Sequence, residues 1–433
     1  MIARLPARGL ALARKVRRDH LFFIANFGLA KATVYLAPLA LAAVASERLY
    51  GGVELALAIG LQLWAFLLGA PLNGINHAYL VQKMRDVADL LFFVAFAAAL
   101  ALLAVAAGLW LAGLSGVALL IPVAMSAVVV QSVSSVWTRM RGQRNWTAWT
   151  DGASLVITGA VVLATVALSG PDDMGVAILI FALVAALLAL VSGQAFLRSR
   201  SPHMLRRLGH VSMVGMPMMV ATAFAMWLGV GGRLFVGALS HADLAAYSLA
   251  FRVGGLALGV QQLVQTFAFP RLYAARTREG DRLFGYSFAA TLAVSAGIAL
   301  AGPFVVDLFD FAALDARGRE IYRALLPLCV IQIFFWIGFA MLQMRINRVR
   351  AAKASILPTL FVTVAGIVLI LLAARFISAD VRFIGWLVAA HSAAYFGLAW
   401  GLLARRGLPH PRIGLVGLGG GLLLAAIAAL SPH

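Results

Sequence analysis

The sequence predicts an all-α polytopic membrane protein: two six-helix lobes related by a pseudo-two-fold axis along the membrane normal, with a thirteenth helix at the C-terminus. Three observations lead there. The chain is 63% hydrophobic and 12% charged, whereas soluble domains are nearer half apolar and a quarter charged. Apolar runs close to the roughly 20 residues needed to cross a bilayer recur along its whole length. The two halves also carry similar polar marks at the same ordinal helices.

In order, residues 1–20 form a basic segment (Arg4, Arg8, Arg14, Lys15, Arg17 and Arg18) that should lie on the cytoplasmic surface. An N-lobe over 21–197 then holds spans near 21–45, 51–80, 89–112, 115–137, 147–169 and 174–197. A basic cytoplasmic linker covers 198–210. The C-lobe, 211–404, holds spans near 211–238, 244–272, 284–306, 321–343, 354–377 and 383–404. Residues 405–433 carry a short glycine-rich span near 413–430. The apolar run after residue 18 is too long for a signal-peptide core, so it reads as a first span that stays.

Basic residues sort by loop. One set of alternate loops carries Lys83 and Arg85, then Arg139, Arg141 and Arg144, then Arg198, Arg200, Arg206 and Arg207. In the second half the same set carries Arg271, Arg276, Arg278 and Arg282, then Arg345, Arg348, Arg350 and Lys353, then Arg405, Arg406 and Arg412. The other loops hold fewer, mixed with Glu47, Asp315, Glu320 and Asp380. The positive-inside rule puts the first set and the amino terminus in the cytoplasm. It also accounts for the net charge of +19 without nucleic acid. One cysteine, Cys329, excludes an internal disulfide and a cysteine metal cluster. No G-x-x-x-x-G-K-[ST] run occurs, so direct drive by ATP is not expected. No cofactor, metal or catalytic residue is expected either.

The internal repeat rests on two matches. Met140-Arg141-Gly142-Gln143-Arg144, ending the fourth span, resembles Met344-Arg345-Ile346-Asn347-Arg348, ending the tenth. Gln62, Gly69 and Asn73 of the second span fall opposite Gly255, Gln262 and Thr266 of the eighth. Each unit starts in the cytoplasm, which makes the repeats parallel.

Three basic residues belong to no loop: Lys31, Arg233 and Arg252. Lys31 lies roughly 15 Å into the first span and Arg252 roughly 13 Å from the outer surface, at 1.5 Å per residue. A charge at such depth faces a cavity or a partner. Ser248, Arg252, Gly255, Gly259, Gln262 and Thr266 make a polar or small stripe on the eighth span. Glu54, Ala58, Gln62, Gly69, Asn73 and Asn76 make one on the second. Such stripes are what a water-filled cleft between lobes requires. The candidate substrate-binding residues are therefore Lys31, Arg252, Arg233, Gln62, Asn73, Asn76 and Gln262, with Glu54 and Asp151 as possible ion-coupling carboxylates. Plainer roles stand beside these. Lys31 pairs with Glu54, Arg233 snorkels from a helix end, Asp151 caps a helix, the asparagines bond neighbouring helices, Gly255 and Gly259 pack as GxxxG, and His391 is a packed polar residue or a proton site.

The stretch from Arg233 to Arg276 carries a further pattern. An arginine near a helix end is followed by Gly237-Ala238, then Ala246-Tyr247-Ser248-Leu249-Ala250-Phe251-Arg252, then Phe269-Pro270-Arg271-Leu272. It resembles the middle of lipid-linked oligosaccharide flippases of the O-antigen and polysaccharide exporter type. Their superfamily also holds the MATE drug exporters and the lipid II flippases. The resemblance implies two lobes that rock to give alternating access across the bacterial inner membrane. It implies an undecaprenyl-diphosphate-linked saccharide as substrate, membrane lipid around it, and a polysaccharide polymerase or other assembly protein as partner. Arg252 and Lys31 would bind the diphosphate, since arginine offers two phosphate oxygens a planar fork. A lipid II flippase and a MATE-like ion-coupled exporter remain as alternatives. A membrane glycosyltransferase or polymer ligase is a third, with catalytic acids sought among Asp307, Asp310, Asp315 and Glu320.

Overall fold

The computed structural model describes residues 7–80, 82–84, 86–239, 241–263, 278–348, 352–376, 380–407 and 411–430. All regular structure among them is helical. The first half comprises α1 (Ala7–Val44), α2 (Glu47–Leu67), α3 (Gly69–Leu80), α4 (Ala88–Leu111), α5 (Val117–Met140), α6 (Arg144–Thr150), α7 (Ala153–Ser169) and α8 (Met174–Ser199). The second comprises α9 (Met204–Leu239), α10 (His241–Gly254), α11 (Arg278–Ala301), α12 (Val305–Leu308), α13 (Ala316–Arg348), α14 (Ala352–Phe376), α15 (Val381–Arg405) and α16 (Pro411–Leu430). Among the described residues, eleven helices are long and apolar enough to cross a membrane, or twelve if α6 and α7 form one bent span. The 36-residue α9 stands where the seventh span is expected. The glycine-rich C-terminal segment is a helix of spanning length, Arg412–Leu430. Outward faces are apolar, as lipid requires: Leu187 on α8 is 60% exposed and Phe361 on α14 is 73%.

Three expected spans are not single rods. The second breaks at Leu68. Pro71 has no amide hydrogen for the Leu67 carbonyl and its ring crowds that carbonyl, which favours a break here. The fifth bends by 48° between α6 and α7. A Cβ on Gly152 at this bend would collide with Val34, so glycine is what lets α1 lie across it. In the eighth, α10 tightens to a 3-10 turn over Gly255–Ala257 and resumes as far as Leu263. The remainder of that span, with Thr266 and the Phe269–Leu272 pattern, lies outside the described residues. So do the side chains of Met344, Arg345, Arg348 and the basic N-terminal segment.

Neighbour relations repeat between the halves. α5 packs on α2, α4, α7 and α8, while α1 lies on α7. Correspondingly α13 packs on α10, α11, α15 and α16, while α9 lies on α14. They differ in two respects: α5 packs on α7 where α13 packs on the added helix α16, and α4 rests on α8 where α11 rests on α16. The added helix reaches this place through its glycines. Gly414 faces Trp400, Gly417 faces Phe396, Gly420 faces Leu292 and Phe334, and Gly421 faces Phe335.

The halves meet where α2 and α3 run antiparallel along α9. From one end to the other, Glu54 meets Arg233, the Gln62 amide donates to the Ala223 carbonyl, Gly69 meets Met219, and Gly74 meets Val211. α10 adds to this seam through its contacts with α2 and α1.

Candidate functional site

The seam holds a buried cluster of three charges. Glu54, on the third turn of α2, is 2% exposed. Arg233 on α9 donates to its Oε2 at 2.8 Å. Arg252 on α10 donates from Nε to Oε1 and from Nη2 to Oε2, both at 3.0 Å. The Arg252 contact is thus the two-oxygen fork that only a planar guanidinium makes. Arg233 also donates to the Gly229 carbonyl at 2.9 Å and lies 4.8 Å from the centre of the Phe251 ring. Two guanidinium groups on one carboxylate leave one net positive charge buried at the junction of the halves.

Surrounding residues hold this cluster in place. The Tyr247 hydroxyl donates to Gln332 Oε1 at 2.7 Å, and Gln332 Nε2 donates to the Leu228 carbonyl at 2.6 Å. The turn of α9 bearing Arg233 is thereby tied to α10 and α13. A side chain at Gly232 would strike the Tyr247 hydroxyl, so glycine is required there. The hydroxyls of Tyr50 and Ser248, one turn from Glu54 and Arg252 respectively, are buried with no hydrogen-bond partner among the described residues.

The cluster corrects three expectations. Glu54 does not pair with Lys31; it pairs with Arg233 and Arg252 together. A carboxylate has two oxygens and about four acceptor positions, enough for both guanidinium groups. Arg233 does not snorkel to a surface, being 3% exposed. Arg252 is not an unpaired charge awaiting a ligand, since it is already held by Glu54. What could have linked these residues in the sequence is their similar distance from the same helix ends.

Lys31 stands elsewhere, 6% exposed on α1 with its ammonium 5.5 Å from the centre of the Phe27 ring. Nearby, Asn26 accepts from the Trp149 indole at 3.1 Å and donates to the Asn145 carbonyl. Asp151, at the α6–α7 bend, accepts from the Ser135 hydroxyl and from Arg139 at 2.8 Å. It is therefore bound to α5, beyond a simple helix cap. Gln62 is committed to packing on α9 through Ala223. Asn73 and Asn76 lie half-buried on α3 and Gln262 half-buried beyond the 3-10 turn. The second-span stripe thus serves in part as a face for helix packing, where a water-filled cleft is expected. Among the described residues a Cβ on Gly255 would meet nothing within 4 Å, and one on Gly259 would meet only Tyr35 at 3.7 Å, so neither glycine marks a close helix contact there.

At the other end of the seam a second polar group joins the halves. Asp89, fully buried at the start of α4, accepts from its neighbour Leu90 N at 2.8 Å, from the Ser201 hydroxyl at 2.9 Å and from Arg207 at 3.2 Å. Ser201 and Arg207 belong to the linker and the first turn of α9. Three of the four acids considered for transferase chemistry are engaged structurally: Asp307 pairs with Arg323, Asp310 pairs with Arg319, and Asp315 accepts from the Gly318 amide.

No protein-family model matches this sequence, and no curated protein matches it. Solved structures do. The chain is similar to the lipid II flippase MurJ in an inward closed conformation, at 12% identity and a TM-score of 0.67, over 95% of this chain and 93% of the flippase. It also aligns with an inward-facing multidrug resistance MATE family transporter of the MOP superfamily, at 15% identity and a TM-score of 0.49, covering 94% and 96% of the two chains. A MOP superfamily transporter from Pyrococcus furiosus aligns at 13% identity and a TM-score of 0.44, over 94% and 93%. The first of these likenesses establishes the fold.

Proposed function

We propose that the chain is a flippase that carries polyprenyl-diphosphate-linked oligosaccharide from the cytoplasmic to the outer leaflet of a bacterial inner membrane. It works by alternating access and serves cell-surface polysaccharide synthesis. The observation that carries the reading is the positively charged cluster at the seam. One carboxylate there is shared by two arginines, and Arg233 Nε is left buried without a partner among the described residues, so a diphosphate, with more oxygens and more charge, is a stronger acceptor for both. Glu54 acts as its stand-in while the site is empty, which spares the protein two unpaired buried cations. Binding then exchanges an internal acceptor for a ligand. That exchange loosens the tie between α2 and the pair α9–α10, as movement of one lobe against the other requires. The basic loops face the cytoplasm in this arrangement. Saccharide and diphosphate pass along the seam while the polyprenyl tail stays in lipid. A polymerase or other assembly protein would receive the product outside.

The MATE-like alternative asks for free carboxylates to hold a cation. Here Glu54 is held by two arginines and Asp151 by Arg139 and Ser135. A lipid II headgroup presents the same diphosphate, so the site itself does not separate the two lipid-linked saccharides; the assay must. Purified protein in liposomes should flip a fluorescent undecaprenyl-diphosphate oligosaccharide without nucleotide. Arg252→Ala should reduce headgroup binding by about 10- to 150-fold, the worth of a charge-assisted hydrogen bond at 1.4 kcal/mol per decade. Arg252→Lys should retain part of it. Normal flipping by Arg252→Glu at normal expression would overturn the proposal, and exclusive transport of lipid II would replace the substrate.

A further inference from the structure

A small cavity lies within the C-terminal half, between α9, α14 and α15. Its walls include Trp227, Gly231, Phe235, Ile370, Val388 and His391. It has room for roughly one water molecule. His391 is 8% exposed, and its Nε2 has no hydrogen-bond partner among the described residues. The ring is fixed in this position. Tyr395 packs against it with centroids 5.1 Å apart, and a Cβ on Gly366 would run into it from α14. The neighbouring hydroxyls are already used, Tyr395 with Thr363 and Ser392 with the Val388 carbonyl.

Among the described residues, no charged side chain faces the ring. On α15 itself the titratable neighbour is Tyr395, and the charged residues Arg382 and Arg405 stand at the ends of the helix. On α14 they are Lys353 and Arg375, again terminal. On α9 the nearest charge in sequence is Arg233, which Glu54 holds on α2. On α13, Tyr322 bonds the Gly302 carbonyl and Cys329 lies against Tyr247. An imidazolium formed here would therefore have neither counterion nor bulk water, and such a charge is costly to bury. Opening of the walls relieves that cost.

We infer that His391 is the proton-binding site that couples this chain to a proton gradient, with the cavity wall on α9 transmitting protonation to the Glu54–Arg233–Arg252 cluster. Trp227, Gly231, Gly232 and Phe235 line the cavity, while Gly229 and Arg233 on the same two turns serve the cluster. Gly229, Gly231 and Gly232 make this stretch of α9 easily deformed. Hydronium delivers a proton to the Nε2 lone pair and leaves water behind. The charged ring then favours the arrangement in which α9 has moved off α14 and α15. Histidine suits this work because its ordinary titration falls between pH 5 and 8. Lacking carboxylates, the cavity is not built for a metal cation.

This inference deepens the proposed function and rests on it for the direction of coupling, but its first test needs no substrate. Hydrogen exchange of the 227–235 segment is measured at pH 5.5 and 8 for the purified full chain in nanodiscs, with rates corrected for intrinsic pH dependence. Wild type should exchange roughly tenfold faster at the lower pH, the effect of one unit of linked titration. His391→Gln, which keeps a neutral polar side chain, should show no pH-linked change. Equal responses in the two proteins overturn the inference. Should that variant fail to assemble, His391→Asn is measured in its place, and a pH response equal to that of wild type overturns the inference. In liposomes, an imposed pH gradient should accelerate flipping by wild type and not by His391→Gln. If exchange responds but the diphosphate lipid is never moved, the proton site stands and the transport reading fails.

Discussion

The two ends of the seam between the halves are closed by different chemistry. At the Glu54 end, three charged side chains from α2, α9 and α10 bind across it in near-complete burial. At the Asp89 end the closure is mostly backbone. A Cβ on Gly74 would collide with the Val211 carbonyl, and one on Gly215 with the Ala70 carbonyl and the Gly74 amide. Among the described residues the partly exposed Arg207 adds charge there, on Asp89 and, at 3.9 Å, on the exposed Asp86. An ion cluster can be undone by a ligand that competes for its partners. A glycine contact can be undone only by moving whole helices apart. The first therefore suits a switch that reads an anionic substrate. The second suits a passive seal that follows the movement of α3, which its break at Leu68 separates from α2.

The largest expected effect comes from breaking the cluster on one side only. Glu54→Ala leaves two buried guanidinium groups facing each other and should cost about 3–5 kcal/mol in stability, seen as a fall in thermal midpoint in detergent. Replacing all three residues together, as Glu54→Leu with Arg233→Met and Arg252→Met, should return most of that stability while abolishing flipping. A triple variant that transports normally would reduce the cluster to a structural tie.

A smaller loss, about 1–3 kcal/mol, is expected for Gly74→Leu or Gly215→Leu, because either side chain must push α3 from α9. The comparison sharpens with a probe. In a Cys329→Ala background, a cysteine replacing the buried Val211 should react slowly with maleimide, and quickly once Gly74→Leu is added. Unchanged reactivity would mean that the glycine contact is not a seal.

Arg207→Ala should be mildest, about 1 kcal/mol, since Asp89 keeps its bonds to Ser201 and to the Leu90 amide. Raising salt should weaken this end further while leaving the buried cluster unaffected, because screening reaches Arg207 and not Glu54. A cluster as salt-sensitive as Arg207 would contradict its burial.

The order and approximate positions of the membrane spans were legible in the sequence, though not the breaks in the second, fifth and eighth, because the requirement that backbone polar groups be satisfied within the membrane acts locally, segment by segment. The burial of Arg252 and Lys31 was legible for the same reason, whereas that of Arg233 was not. What each buried charge touches was not. Glu54 meets Arg233 and Arg252 across separations of 179 and 198 residues, and hydropathy contains no information about which side chains share a carboxylate. The glycines of α3, α9 and α16 likewise read as helix weakness until the opposing helix is in place. Only then does the missing Cβ become the reason that Val211, Ala70 or Phe396 can lie so near. The fold class follows from free energies of transfer that sum along the chain, whereas the site depends on distances between segments that only tertiary packing sets.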